Sequence, residues 1–302
     1  MLDNTASILP VRKGVSASTV TLPAGSWSTL LDFLCHKFTG ISREIWLVRM
    51  QDGLVIDSNG KPLGAESAYQ SHSIVHYYRA LEQETPIPFE QHILFQDDYI
   101  IAVDKPHFLP VMPAGKYLQE TLLVRLKRTT GIDALTPMHR LDRETAGVMI
   151  FIIKPETRGA YQSLFLNKRV QKKYQAIASY NEKLVLPITH KSRLQVSEHF
   201  MRMQEVAGTP NSETRIELIE HYKGLGRYAL TPVTGKKHQL RVHMASLGIP
   251  IINDQIYPHY IAAEQENFEN PLQLLASEIA FTDPILGCAR EFHSRRTLSF
   301  DP

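Results

Sequence analysis

The segment Met138-His-Arg-Leu-Asp-Arg-Glu-Thr-Ala-Gly147 holds the most chemically suggestive spacing in the chain. It is a polar, charged stretch that feeds directly into the apolar run Val148–Ile153. Asp142 stands between Arg140 and Arg143, so its carboxyl is expected to be charged. A carboxylate held at the mouth of a sheet can serve as a nucleophile or a general base. The same spacing also suits a structural ion pair, or an aspartate that caps a turn. Spacing alone leaves all three open.

Charge placement is the second signal. The chain carries a net +2, but two stretches are strongly basic. Lys154 to Lys173 contains Lys154, Arg158, Lys168, Arg169, Lys172 and Lys173 against the single acid Glu156. Lys223 to His243 contains Lys223, Arg227, Lys236, Lys237 and Arg241 and no acid. Two basic stretches in a near-neutral chain suggest one positive surface facing a polyanion. Two unrelated solvated faces would give the same counts.

Familiar cofactor patterns are missing. There is no G-x-G-x-x-G after a strand, no G-x-x-x-x-G-K-[ST] and no H-E-x-x-H, so neither a nucleotide cofactor nor any other cofactor is expected. His238 and His243 are five apart and fall on different faces of a helix, without a third ligand, so no metal is expected. Cys35 and Cys288 make neither a disulfide framework nor a metal cluster. No apolar stretch approaches the ~20 residues a bilayer needs, and Met1-Leu-Asp-Asn4 lacks the basic start of a secretory signal. A cytoplasmic protein without a membrane partner is the expectation.

These side chains must be positioned by ordinary globular elements. A chain of 302 residues, 43% hydrophobic and 21% charged, is too apolar for disorder and long enough for about two domains. Thr85-Pro-Ile-Pro88 reads as a stiff connector between residues 1–85 and 86–302. Before it, Leu30, Leu31, Phe33, Leu34 and Phe38 recur at helical spacing. Ser42 opens a second short helix as N-cap, and a strand at Leu54–Ile56 turns at Asn59-Gly60. Ile74–Tyr78 is a closing strand.

After the connector, Ile93–Phe95 and Ile100–Val103 read as strands. Leu118–Thr130 reads as an amphipathic helix closed by Gly131. Gly147–Ile153 is a buried strand, and Pro155 starts a helix reaching about Asn167. Tyr174–Ala178, Thr214–Glu220 and Tyr228–Val233 are strands, and His238–Leu247 is a helix ending at Gly248. The pattern is α+β, with a mixed, largely antiparallel central sheet, flanking helices and a small N-terminal α+β module.

His139-Arg-Leu-Asp-Arg-Glu-Thr-Ala-Gly147 resembles the H-R-L-D-x-x-T-[SA]-G loop of the RluA family of pseudouridine synthases. Four further stretches are similar in the same order: Asp97–Pro106, with its Lys105-Pro106; Lys172-Lys173-Tyr174-Gln175-Ala176; Thr234–His243, against T-G-R-x-H-Q-[IL]-R-x-H; and Leu272–Ala276, against L-x-L-H-A. The likeness covers residues 90 to 300. It departs at Lys236 (usually Arg), Asp104 (Asn), Leu275 (His) and Met112 (often His).

The resemblance implies isomerisation of uridine to pseudouridine in structured rRNA or tRNA, with no metal and no cofactor. It assigns Asp142 as nucleophile or base, Tyr174 as the ring on which the flipped uridine stacks, with a share in proton removal, and Arg241 as the partner of the carboxylate. Leu274 would line the pocket, while His139, Arg140, Thr145, Lys105, Lys172, Lys236, His238 and Gln239 would contact substrate. Residues 1–85 more faintly resemble an alpha-L RNA-binding module of the ribosomal-protein type. The expected form is a monomer. The rival expectation is a catalytically idle RNA-binding protein or RNA chaperone that keeps the fold.

Overall fold

The computed structural model describes residues 9, 12, 14–79, 84–198, 202–261 and 267–301; Met1–Asn4 lies outside them. The chain divides into two compact units, one of residues 1–86 with 112–133, the other of 87–111 with 134–302. Among the described residues, no helix is long and apolar enough to cross a membrane.

In the first unit, β1 (Ser18–Thr21), α1 (Leu30–Lys37), α2 (Arg43–Gln51), β2 (Val55–Asp57) and β3 (Ile74–Tyr77) are followed, after the long excursion into the other unit, by α3 (Leu122–Thr130). The strands form a sheet ordered β1-β3-β2. Thr29 and Ser42 cap α1 and α2 by accepting from Asp32 N and Ile45 N, as short hydroxyls do at helix starts. Leu30, Leu31, Phe33, Leu34 and Trp46 close the core beneath them.

The sequence places 112–133 with the second part, but here it groups with the first. The physical reasons are local. Val15, Leu118 and Val124 share a small apolar cluster. The Glu84 carboxylate accepts three backbone N–H groups, from Leu118, Gln119 and Glu120. The helix itself starts later than expected, at Thr121, whose hydroxyl caps Val124 N.

The second unit runs β4 (His92–Gln96), β5 (Ile100–Lys105), β6 (Thr136–Pro137), β7 (Ala146–Ile152), α4 (Arg158–Leu166), β8 (Gln171–Ser179), β9 (Ile188–Val196), β10 (Met203–Val206), β11 (Ser212–Tyr222), β12 (Leu225–Pro232), α5 (Gln239–Ser246), β13 (Leu274–Thr282) and β14 (Ala289–His293). The described strands join one sheet ordered β10-β9-β11-β12-β8-β13-β7-β5-β4, with β14 on β13 and β6 on β7. Among the described strands only the β7–β13 ladder is parallel, so the sheet is mixed and largely antiparallel.

β5 and β7 are buried along their whole length, which explains why both read as continuous apolar runs and not as alternation. α4 covers this half through Tyr161 and Leu164. α5 covers the other half: Leu240 and Met244 pack on Ala176, Ile216, Tyr228 and Leu230. Fully burying a side chain such as Met244 contributes ~1.5–3 kcal/mol. That packing fixes the position of Arg241, three residues before it.

Gly147 seals the centre. Its φ is +114°, and a Cβ there would lie 2.2 Å from the Ala276 carbonyl oxygen. Only glycine permits the β7 backbone to approach β13 this closely.

Candidate active site

The loop from Met138 to Thr145 leaves the end of β6 and returns into β7, and its backbone is pinned by buried groups. The Lys105 ammonium donates to the carbonyls of Pro106, Leu109 and Arg143 at 2.8–2.9 Å. Three acceptors match its three N–H donors. Burial pulls the Lys105 pKa down to about 7, against the opposing pull of Glu144 and Asp142. His107 Nδ1 donates to the Glu144 carbonyl at 2.7 Å. His139 Nδ1 donates to the Arg140 carbonyl while its Nε2 accepts from Ile150 N, and its ring stacks on Phe165. Burial pulls both histidines down to about 4, and the bond accepted by His139 Nε2 requires a neutral ring there.

Lys105 and His139, expected to touch substrate, are turned inward and hold the loop; neither lines the cavity. Lys105 is wholly buried, because a cation at a strand end can find carbonyls as readily as phosphates.

The cavity itself encloses about 130 Å³ and is lined by Asp142, Tyr174, Arg241 and Leu274, together with Arg140, Thr145, Lys172, Lys236, His238 and Gln239. A cavity of about 150 Å³ accommodates a benzene ring, so this one is the size of a single flat base. The four elements that meet are the β6–β7 loop, β8, the start of β13 and α5 with the loop before it.

Asp142 was expected to be charged because of Arg140 and Arg143. Its cation is instead Arg241, whose Nη1 lies 3.7 Å from Asp142 Oδ2. Arg143 donates to the Phe108 carbonyl and pairs with Glu144. Arg241 is 2% exposed. Its Nε and Nη2 are clamped by Asp254 at 2.8 and 2.6 Å, the planar bidentate pairing that guanidinium favours. Its Nη1 is buried without a hydrogen-bond partner and is the nitrogen facing Asp142. Burial opposes the charge on Arg241, but the Asp254 hydrogen bonds and the negative charges of Asp254 and Asp142 outweigh it, so its pKa is raised.

Asp254 escaped sequence analysis. Its Oδ1 also accepts from Ile256 N and Tyr257 N, which holds the carboxylate still. No motif spacing links it to Arg241, thirteen residues earlier.

The remaining residues fall into place around this pair. Burial first, then the Asp142 charge, pushes the Tyr174 hydroxyl up, so it stays a neutral phenol beside a flat cavity wall. His238 sits in the left-handed region, φ 54°, at the N-cap of α5. Its Nε2 lies 4.0 Å from Asp142 Oδ2, and its Nδ1 meets the Tyr257 hydroxyl at 3.0 Å. Burial pulls it down to about 4 in spite of Asp142. Gln239 is spent on structure: its Oε1 accepts from Thr234 Oγ1 and Lys236 N, and its Nε2 donates to Glu213 O and Thr214 Oγ1. Lys172 Nζ donates to the Thr234 carbonyl and is pulled down by burial. Lys172 comes from the first basic stretch and Lys236 and Lys237 from the second, and all three line one cavity. Of the departures, Asp104 accepts from Ser294 Oγ and Arg295 N and Leu275 is core.

His243 lies away from the cavity, near enough to His190 and Glu205 for a three-ligand metal site. Each of its nitrogens already meets hydroxyls: Nδ1 that of Thr214, and Nε2 those of Ser192 and Ser212. His190 is bonded to Glu205. The cluster is a closed hydrogen-bond network.

Comparison with known proteins gives a consistent family. The family model described as RNA pseudouridylate synthase matches residues 99–246. A tRNA pseudouridine synthase C of Vibrio cholerae is 31% identical over 209 residues, covering 64% of this chain and 85% of that protein. The dual-specificity RNA pseudouridine synthase RluA of Haemophilus influenzae is 29% identical over 231 residues, covering 71% and 97%. Among solved structures, human RNA pseudouridylate synthase domain containing 1 superposes with a TM-score of 0.58 at 21% identity, covering 71% of this chain and 86% of the other; at that identity the likeness speaks for the fold.

Proposed function

Because the chain belongs to the RluA family of RNA pseudouridine synthases, and so is an isomerase acting on RNA, we propose that Asp142 is its nucleophile or base, Tyr174 its stacking ring and Arg241 its organising cation. In the reaction the N1–C1′ bond of uridine breaks and a C5–C1′ bond forms; C5 loses a proton and N1 gains one. Nothing is oxidised or hydrolysed. One observation carries the residue assignment: a carboxylate, 27% exposed, faces a base-sized cavity from 3.7 Å away from a buried guanidinium nitrogen with no other partner.

A uridine in folded RNA must leave its stack to reach such a cavity. Tyr174 and Leu274 offer apolar walls to the flipped ring. Arg241 stays protonated at any working pH and acts by charge and position, not as a proton donor. Arg140, Thr145, Lys172, Lys236 and His238 border the opening, where lysine and arginine suit phosphate. The substrate is structured rRNA or tRNA. Residues 1–85 are an alpha-L-like RNA-binding module, with which 112–133 group, and the rest of the chain is the catalytic part, a reading supported by the paired short helices α1 and α2 over a small sheet. The enzyme acts as a cytoplasmic monomer.

The test is Asp142→Asn, assayed by tritium release from RNA labelled at uridine C5 beside a filter-binding measurement. Turnover drops by several orders of magnitude, while RNA affinity holds or rises slightly as a negative charge leaves the cleft. Unchanged tritium release refutes the role of Asp142. Joint loss of binding and turnover makes it structural.

A further inference from the structure

The space beside Asp142 continues past Lys172 and Lys236. A second cavity of about 510 Å³ shares Lys172, Thr234, Gly235 and Lys236 with the first. Its apolar lining is Phe165, Leu166, Val170 and Val233, its cations are Lys168, Lys172 and Lys236, and among the described residues no acidic side chain lines it. Leu166 is 84% exposed and Val233 42%, so two branched apolar side chains stand in the open amid a basic surface. Lys168 closes α4 with φ at +54°, a position where glycine is the usual residue. A cation is thus kept at the rim where the backbone disfavours any side chain.

We propose that this groove is a subsite for the base of an unpaired nucleotide next to the target uridine. The inference rests on reading the Asp142 cavity as the uridine pocket. An apolar floor with a cationic, acid-free rim is the composition that binds single-stranded nucleic acid, the floor taking the base and the cations the backbone. Shared wall residues put the groove one step along the strand from the flipped uridine. Flipping also strips the neighbouring base of its stacking partner, and the Leu166–Val233 floor restores an apolar surface for it.

The experiment uses a stem-loop RNA that the wild-type enzyme converts, prepared with an abasic sugar at either flanking position. Removing the base that occupies the groove raises KM by ~5- to 160-fold, the range of one lost base stack, with kcat held. The exposed pair Leu166→Ser/Val233→Ser raises KM on intact RNA by a similar factor and becomes indifferent to the abasic sugar. Unchanged KM with both abasic RNAs overturns the proposal, and so does a variant that remains as sensitive as wild type. Failure of the uridine-pocket reading looks different: Asp142→Asn would go on releasing tritium.

Discussion

Arg241 faces two carboxylates, and the distances set a tight clamp to Asp254 apart from a looser approach to Asp142. Asp254 clamps it at 2.6 and 2.8 Å, with both side chains at most 2% exposed. Asp142 stands 3.7 Å away and is 27% exposed. Breaking a buried pair by removing one partner costs ~3–5 kcal/mol, because the other charge is left uncompensated. A half-solvated pair is worth ~0–1 kcal/mol. Arg241→Met and Asp254→Asn are therefore each expected to lower stability by ~3–5 kcal/mol, and Asp142→Asn by no more than ~1 kcal/mol. For a unit spanning 87–111 and 134–302, ~2–4 °C per kcal/mol makes each large loss a fall in Tm of ~6–20 °C. The double variant leaves neither member of the buried Arg241–Asp254 pair as an orphan charge, so the two losses overlap by ~2–3 kcal/mol. Urea and thermal unfolding of all four proteins give that overlap. Tritium release by the double variant stays abolished although its stability recovers, because Asp142 still lacks its cation. Losses that add within ~0.5 kcal/mol would refute the clamp, and so would a double variant that regains activity.

Two further outcomes concern the same unit. His107, His139, His238 and His243 are all pulled down to about 4 by burial, against 6.5 when unfolded. Between these values the unfolded chain binds more protons, so stability rises with pH and is lost as pH falls from 6.5 towards 4; urea midpoints at pH 7, 6 and 5 should fall stepwise, and a flat series would show the histidines to be charged or solvated. Gly147→Ala should prevent soluble folding, since its Cβ would meet the Ala276 backbone at 2.2 Å. Gly159→Ala, on α4 with nothing within 4 Å, should be neutral or stabilising by ~0.5–1 kcal/mol, and equal behaviour of the two variants would remove the packing argument.

The loop around Asp142 was legible because its charged run stops abruptly at a strand buried on both faces. β9 was missed because its inward positions Ile188, His190, Ser192 and Leu194 mix polar with apolar residues, which leaves no apolar period to read. Residue type announced a cation at Lys105 and at Arg241 but not its partner. Lys105 faces carbonyls and Arg241 faces carboxylates, a choice made by which strands become neighbours. Asp254 was invisible for the same reason, since its pairing exists only after α5 has packed on the sheet. Arg143 misled in the opposite sense: next to Asp142 in sequence, it is engaged by the Phe108 carbonyl and Glu144.

The position of β13 bears on how the enzyme is made. This strand, residues 274–282, lies between β7 (146–152) and β8 (171–179). A growing chain therefore completes both neighbours long before the strand that joins them. At ~5–20 residues per second, β8 waits roughly 5–20 s for β13 to be synthesised. During that interval β7 and β8 each present an open edge, the template on which strands of other chains add. Gly147, bare of side chain for the sake of Ala276, leaves the β7 edge least protected just where the Asp142 loop ends. Slow, non-local closure of this kind predisposes a nascent chain to mispairing, so chaperone demand during translation should centre on this gap. The Asp142 loop acquires its fixed setting only when the last central strand is threaded home.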